Sequence, residues 1–112
     1  MKRNFRLTKQ KDFDRVRSEG QTKKDQYIVL LYNRNELEYP RAAVVASKKV
    51  GNAVTRNHVK RLMRASLDDI WRELAPGWDL ILYARYTGAD ASYREIFSSV
   101  NNLLLKANLI VK

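Results

Sequence analysis

Arg56, Lys60 and Arg64 stand four residues apart, with Asn57 and Arg61 beside them and His58, the one histidine of the chain, in their midst. On a helix rising about 1.5 Å per residue, successive cations of this set lie about 6 Å apart along one flank, a spacing comparable with neighbouring phosphates of a nucleic-acid strand. A guanidinium can fork onto phosphate or stack on an exposed base, and an ammonium adds a point charge. The chemistry within reach is polyanion binding.

Catalysis by side chains finds no comparable set. General acid–base cleavage of RNA needs two poised groups, and His58 is alone among cations. Carboxylate-bound magnesium needs converging Asp or Glu, whereas Asp68 and Asp69 are adjacent and point to different sides of a helix. The absence of cysteine removes thiolate metal sites, cysteine nucleophiles and disulfides, and suits a reducing compartment. A self-sufficient, metal-free nuclease is therefore the weakest function class, with no catalytic residue and no metal ligand expected in the protein.

The charge is local as well as large. Lys and Arg number 22 against 12 Asp and Glu, a net charge of +10 that favours any polyanion brought to the surface. Residues 40–67 contain no Asp or Glu, while Arg41, Lys48, Lys49, Arg56, Lys60, Arg61 and Arg64 gather there. A merely solvated face mixes signs, as Asp68, Asp69 and Glu73 do further along, whereas an all-positive face repels itself until an external anion compensates it. Free backbone N–H groups near Ala53 to Thr55, following Val50, Gly51 and Asn52, add an anion-binding helix start next to Lys48 and Lys49. Gly51 would let a backbone come close.

The elements that must hold these groups can be read from periodicity. A chain of 112 residues without repeat, low-complexity tract or Gly/Ser linker reads as one domain over 1–112. Thr8 is placed to cap a short helix over 9–18 that buries Phe13 and Val16, with Gly20 ending it. QYIVLLY at 26–32 and RAAVVAS at 41–47 read as strands, and their eight-residue connection suits an antiparallel hairpin. Val59, Leu62, Met63, Leu67, Ile70 and Leu74 recur at helical steps over 53–74, with Asn52 as cap and Pro76–Gly77 as stop. DLILYARY at 79–86 reads as a strand, and Ser92 with Glu95 forms a capping box for a last helix through 107, burying Ile96, Val100, Leu103, Leu104 and Ala107. The order helix, strand, strand, helix, strand, helix makes an α/β sandwich of the α+β kind. A start that is basic and polar over 1–11, and no apolar run near the roughly 20 residues that span a bilayer, point to a cytoplasmic protein without membrane contact.

The segment SKKVGNAVTRNHVKRLMR, residues 47–64, resembles the signature of the protein subunit of bacterial ribonuclease P. The likeness extends over nearly the whole chain: the RLTKQKDF opening, the Gly51-Asn52-Ala53 start of the helix, the LILYAR strand and the capped last helix fall in the family's order. The resemblance implies one mixed sheet with a left-handed strand–helix–strand crossover, as in the second domain of a small-subunit ribosomal protein, where sequence reasoning alone gives the usual right-handed one. It further implies an endonuclease whose large catalytic RNA removes the 5′ leader of precursor tRNA, with Mg2+ held mainly by RNA phosphates. The protein is then a non-catalytic component whose partners are the catalytic RNA subunit and precursor tRNA, with no obligate protein partner.

Carried over by position, the RNA-subunit contacts are Lys49, Arg56, Asn57, His58, Lys60, Arg61 and Arg64. His58 stands at the third position of an Arg-Asn-Arg motif, where a neutral imidazole lacks the fixed charge and fork of guanidinium. The leader-binding set, in a cleft between the first helix and the sheet, is Phe13, Arg17, Tyr27, Ser47, Lys48, Asn52 and Arg85. A single strand is held by stacking on aromatics plus a cationic groove, with little demand for sequence. Arg17 replaces a second Phe common in the family, for which Tyr27 could supply a ring. On residue type alone, Phe13 and Tyr27 read as ordinary core. Two other binding classes remain: a ribosomal or other structural RNA-binding protein with the basic helix but no cleft, and a helix-turn-helix DNA reader, disfavoured because a strand follows the long helix and no short partner helix precedes it.

Overall fold

A computed structural model describes residues 3–111; residues 1, 2 and 112, the outer ends of the expected 1–112 domain, lie outside them. After a 3-10 turn at Arg3–Phe5 come α1 (Gln10–Glu19), β1 (Gln21–Lys24), β2 (Ile28–Arg34), β3 (Arg41–Ala46), α2 (Ala53–Ile70), β4 (Trp78–Ala84) and α3 (Tyr93–Lys106). The strands form one mixed sheet in the order β1-β2-β4-β3. β1 and β2 are antiparallel, as are β2 and β4, while β3 runs parallel to β4, so α2 is the crossover between two neighbouring strands.

Alternation of side chains divides the sheet between two layers. Ile28, Leu30, Tyr32, Ala42, Leu80 and Leu82 face α2 and α3 and join Val59, Met63, Leu67, Ile96, Val100, Leu103 and Leu104 in the main core. Leu31, Ala43, Val45, Ile81 and Tyr83 face the other way and pack with Leu7, Phe13 and Val16 under α1. Both faces of β4 are covered, and Leu80, Ile81 and Leu82 are all buried, which is why this strand reads as a continuous apolar run.

Several expectations are corrected. Strands β2 and β3 do not form a hairpin: β4 lies between them, because the most apolar strand gains most from neighbours on both edges. The hairpin is instead β1 with β2, so the chain has one strand more than its periodicity indicates; Gln21–Lys24 is exposed throughout, and its two lysines suit a sheet edge. Thr8 does not cap α1. Leu7 is buried and donates its N–H to Ala42 O at 2.9 Å, which keeps the chain extended past Thr8, and Lys9 becomes an N-cap without a side-chain bond.

Gly20 ends α1 as expected, by close approach and not by left-handed geometry: a Cβ there would lie 2.3 Å from Val16 O and 2.8 Å from Tyr32 O. The α-helical part of the long helix stops at Ile70 and gives way to a 3-10 turn at Trp71–Glu73, where Trp71 stacks on Phe5 at 5.5 Å. Pro76 and Gly77 therefore belong to the turn into β4, which itself spans 78–84 in place of 79–86. Ala107 is the C-cap of α3 and only partly buried. The two caps read from sequence are present: Asn52 Oδ1 accepts from Thr55 N at 2.9 Å, and Ser92 and Glu95 form the full capping box.

Candidate nucleic-acid interface

The apolar stripe of α2 faces the sheet and α3, which turns its other flank outward. Asn57, His58 and Arg61 are exposed and Arg56, Lys60 and Arg64 partly so; Lys48 and Lys49 are exposed in the turn before the helix. Gly51 has φ +153°, and a Cβ there would press on Thr55, so this turn into α2 is tight. Among the described residues, the carboxylates paired with arginine are Asp12, Asp14 and Asp79, held by Arg15, Arg17 and Arg41. None of these three reaches the cations of α2 or Lys48 and Lys49. Arg41, counted in the same positive stretch of sequence, is different: it grips the buried Asp79 and is spent inside the fold.

The second region lies between α1 and the sheet. Phe13 and Arg17 share a face of α1, and Arg17 Cζ lies 5.5 Å from the Phe13 ring centroid and 6.0 Å from that of Tyr83 on β4. Next to Phe13, a pocket of about 160 Å³ is lined by Arg6, Leu7, Thr8, residues 42–44 of β3 and Arg64 of α2. Arg64 thus joins the cationic flank of α2 to the aromatic cleft around the outer edge of β3. At the far end of that edge, Ala46 and Ala84 are register partners, so Ser47 and Lys48 leave β3 where Arg85 leaves β4.

These placements bring Phe13, Arg17, Ser47, Lys48 and Arg85 to the α1 side and to one end of the sheet. Asn52 sits at the start of α2, with its carbonyl oxygen used for capping. Arg85 is anchored, donating Nη1 to Asp25 O at 2.8 Å. Tyr27 is not brought to the cleft. Its ring packs with the α2–α3 layer and its hydroxyl donates to Glu95 at 2.6 Å, a bond that raises the phenol pKa and helps to lower that of the carboxyl. Sequence reasoning missed Tyr83 and Arg6. Alternation from the buried Ile81 puts Tyr83 on the α1 face; Arg6 carries no such signal, since its place follows from the bridge to Ala42.

Among the described residues no three of His, Cys, Asp and Glu converge; Asp79 is occupied by two guanidinium groups and Asp69 accepts from the Tyr93 hydroxyl. Nor is any helix among them long and apolar enough to cross a membrane.

Compared with known proteins, the chain matches the Ribonuclease P family over residues 1–108. It belongs to the ribonuclease P protein family. Within that family it is 33% identical over 106 residues to the ribonuclease P protein component of Clostridioides difficile, covering 94% of this chain and 93% of that one. It is 38% identical over 112 residues to that of Dehalococcoides mccartyi, covering 100% and 92%. Among solved structures, the RNase P protein of Staphylococcus aureus superposes with a TM-score of 0.87 at 29% identity, covering 95% of this chain and 97% of that one. The RNase P protein of Thermotoga maritima gives 0.83 at 26%, covering 90% and 96%. The α+β fold of this chain is thus that of ribonuclease P proteins.

Proposed function

We propose that this chain is the non-catalytic protein component of a ribonuclease P ribonucleoprotein, which docks on the catalytic RNA through the cationic flank of α2 and holds the 5′ leader of precursor tRNA in the α1 cleft. The observation that carries this reading is the continuity of the two surfaces: cations that none of Asp12, Asp14 and Asp79 reaches run along α2 to Arg64, which lines the pocket beside Phe13. The RNA subunit performs the cleavage with Mg2+ held mainly by RNA phosphates, and the protein works in the cytoplasm. On this reading the chain screens RNA–RNA repulsion and raises affinity for leader-bearing over mature tRNA. If about six phosphates are neutralised, the log–log salt slope of binding is near −5, shallower where the RNA is single-stranded.

Reconstitution with the cognate RNA subunit tests the proposal. Precursor cleavage at low magnesium should be stimulated by the protein, and Phe13→Ala should weaken binding of leader-bearing tRNA while leaving RNA-subunit binding intact. A structural RNA-binding protein without a leader cleft predicts only a stability change from that substitution. Absence of any stimulation would discard the ribonucleoprotein reading.

A further inference from the structure

We infer that Arg17 binds a phosphodiester of the single strand in the α1 cleft and that Tyr83 is the positioning residue that aims it; this rests on the leader-cleft reading above. Arg17 Nε donates to the Tyr83 hydroxyl at 2.9 Å, and its guanidinium carbon lies within 6.0 Å of both the Phe13 and Tyr83 ring centroids. The group is held beside two rings through its Nε, which leaves both Nη groups without a hydrogen bond to the protein and able to fork onto an external oxyanion.

The carboxylate nearest to it does not satisfy that need. Asp14 Oδ1 is 3.8 Å from Nη1, beyond hydrogen-bond reach, and the side chains are 48% and 63% exposed, so water screens the pair. Tyr83 can hold Arg17 still because it stands on the inner strand β4, paired on both edges, and is partly buried in the layer under α1. An arginine ordered before binding loses less rotamer freedom when the anion arrives. On the next strand, Val45 is the register partner of Tyr83 and Ala43 that of Ile81, so the floor beside the clamp is made of short apolar side chains that offer the strand no competing charge. The ligand is recognised by charge and fork geometry, so the contact is indifferent to base identity.

The test uses holoenzyme reconstituted with its RNA subunit, and compares affinity for precursor tRNA carrying a short leader with affinity for leaderless tRNA. Arg17→Met should weaken leader-bearing binding roughly tenfold and make the salt slope shallower by about 0.7, the single-strand value for one phosphate. Tyr83→Phe keeps the ring and its packing, and should cost about threefold to fivefold on the leader-bearing substrate alone, with little further loss when added to Arg17→Met, because the two act as one unit. A leader carrying a single methylphosphonate in place of the contacted phosphodiester should bind wild type and Arg17→Met alike. An unchanged salt slope in Arg17→Met removes the phosphate contact, and a Tyr83→Phe protein equal to wild type reduces Tyr83 to packing. Should the wild-type holoenzyme fail to distinguish leader-bearing from leaderless tRNA, the cleft reading itself falls, an outcome separable from either of those.

Discussion

Arg41 meets Asp79 in two parallel hydrogen bonds, Nε to Oδ1 at 2.9 Å and Nη2 to Oδ2 at 2.8 Å, and the carboxylate is fully buried. Arg15 of α1 donates to the same carboxylate, Asn35 donates to Oδ1 at 2.9 Å, and Arg41 Nη1 lies 3.5 Å from Asp12. One buried anion therefore fastens α1 to β3 and β4, and with α1 the Phe13–Arg17 wall of the cleft. The hydrogen bond to Asp79 is the main cause that raises the Arg41 pKa, against burial, which lowers it.

Removing that anion takes from two largely buried guanidinium groups their hydrogen-bonded carboxylate and leaves them the more distant Asp12, at 3.6 and 3.5 Å. Asp79→Ala should destabilise the fold by about 3–5 kcal/mol, the range for breaking a buried ion pair by deleting one partner. Urea denaturation measures it, with exposed Arg61→Ala as the control that should stay within about 0.5 kcal/mol of wild type.

Deletion of cations on α2 should act on RNA and leave the fold alone. With Arg56 and Arg61 on the outward flank of α2, Arg56→Ala and Arg61→Ala should each weaken RNA-subunit binding and flatten the log–log salt slope by about 0.9 where the contact is to duplex RNA phosphate. His58 is exposed on the same helix, so His58→Arg should steepen the slope by a similar amount. Filter binding over a salt series checks both, and identical slopes in all four proteins would remove α2 from the interface.

The start of α2 rests on one side chain. Asn52→Ala removes the acceptor for Thr55 N and should cost about 1 kcal/mol, read as a lower melting temperature. Asn52→Asp keeps an acceptor and should recover most of that stability.

A pH dependence follows from the capping box of α3. Backbone hydrogen bonding from Ser92, then the Tyr27 hydroxyl, then the Ser92 side chain hold the Glu95 pKa below the usual glutamate range. The folded state thus binds this proton less readily than the unfolded chain, so the stabilisation is complete above the ordinary glutamate pKa and lost as pH falls through the lowered one. The Tyr27 pKa is raised, first by its hydrogen bond to Glu95, so its contribution is present at neutral pH and lost as pH climbs through the raised value. Glu95→Gln should flatten the acidic limb of stability against pH; a limb of unchanged steepness would place its origin elsewhere.

The amino-acid sequence determined what depends on near neighbours along the chain. The Asn52 cap, the Ser92–Glu95 box and the apolar stripe of α2 are set by spacings of three and four residues, and each appears in the folded chain. The absence of acidic residues over 40–67 is likewise complete in the sequence, and with the family signature at 47–64 it pointed to the α2 surface. The tertiary structure alone decided what depends on distant partners. Strand alternation is the same whichever neighbour a strand takes, so periodicity could not tell that β4 inserts between β2 and β3. A charge count could not separate Arg41, neutralised by an aspartate 38 residues away, from Arg64, which reaches the cleft unpaired by that carboxylate. Tyr27 and Tyr83 differ no more than that in residue type; the face of the sheet each meets sends one to Glu95 and the other to Arg17.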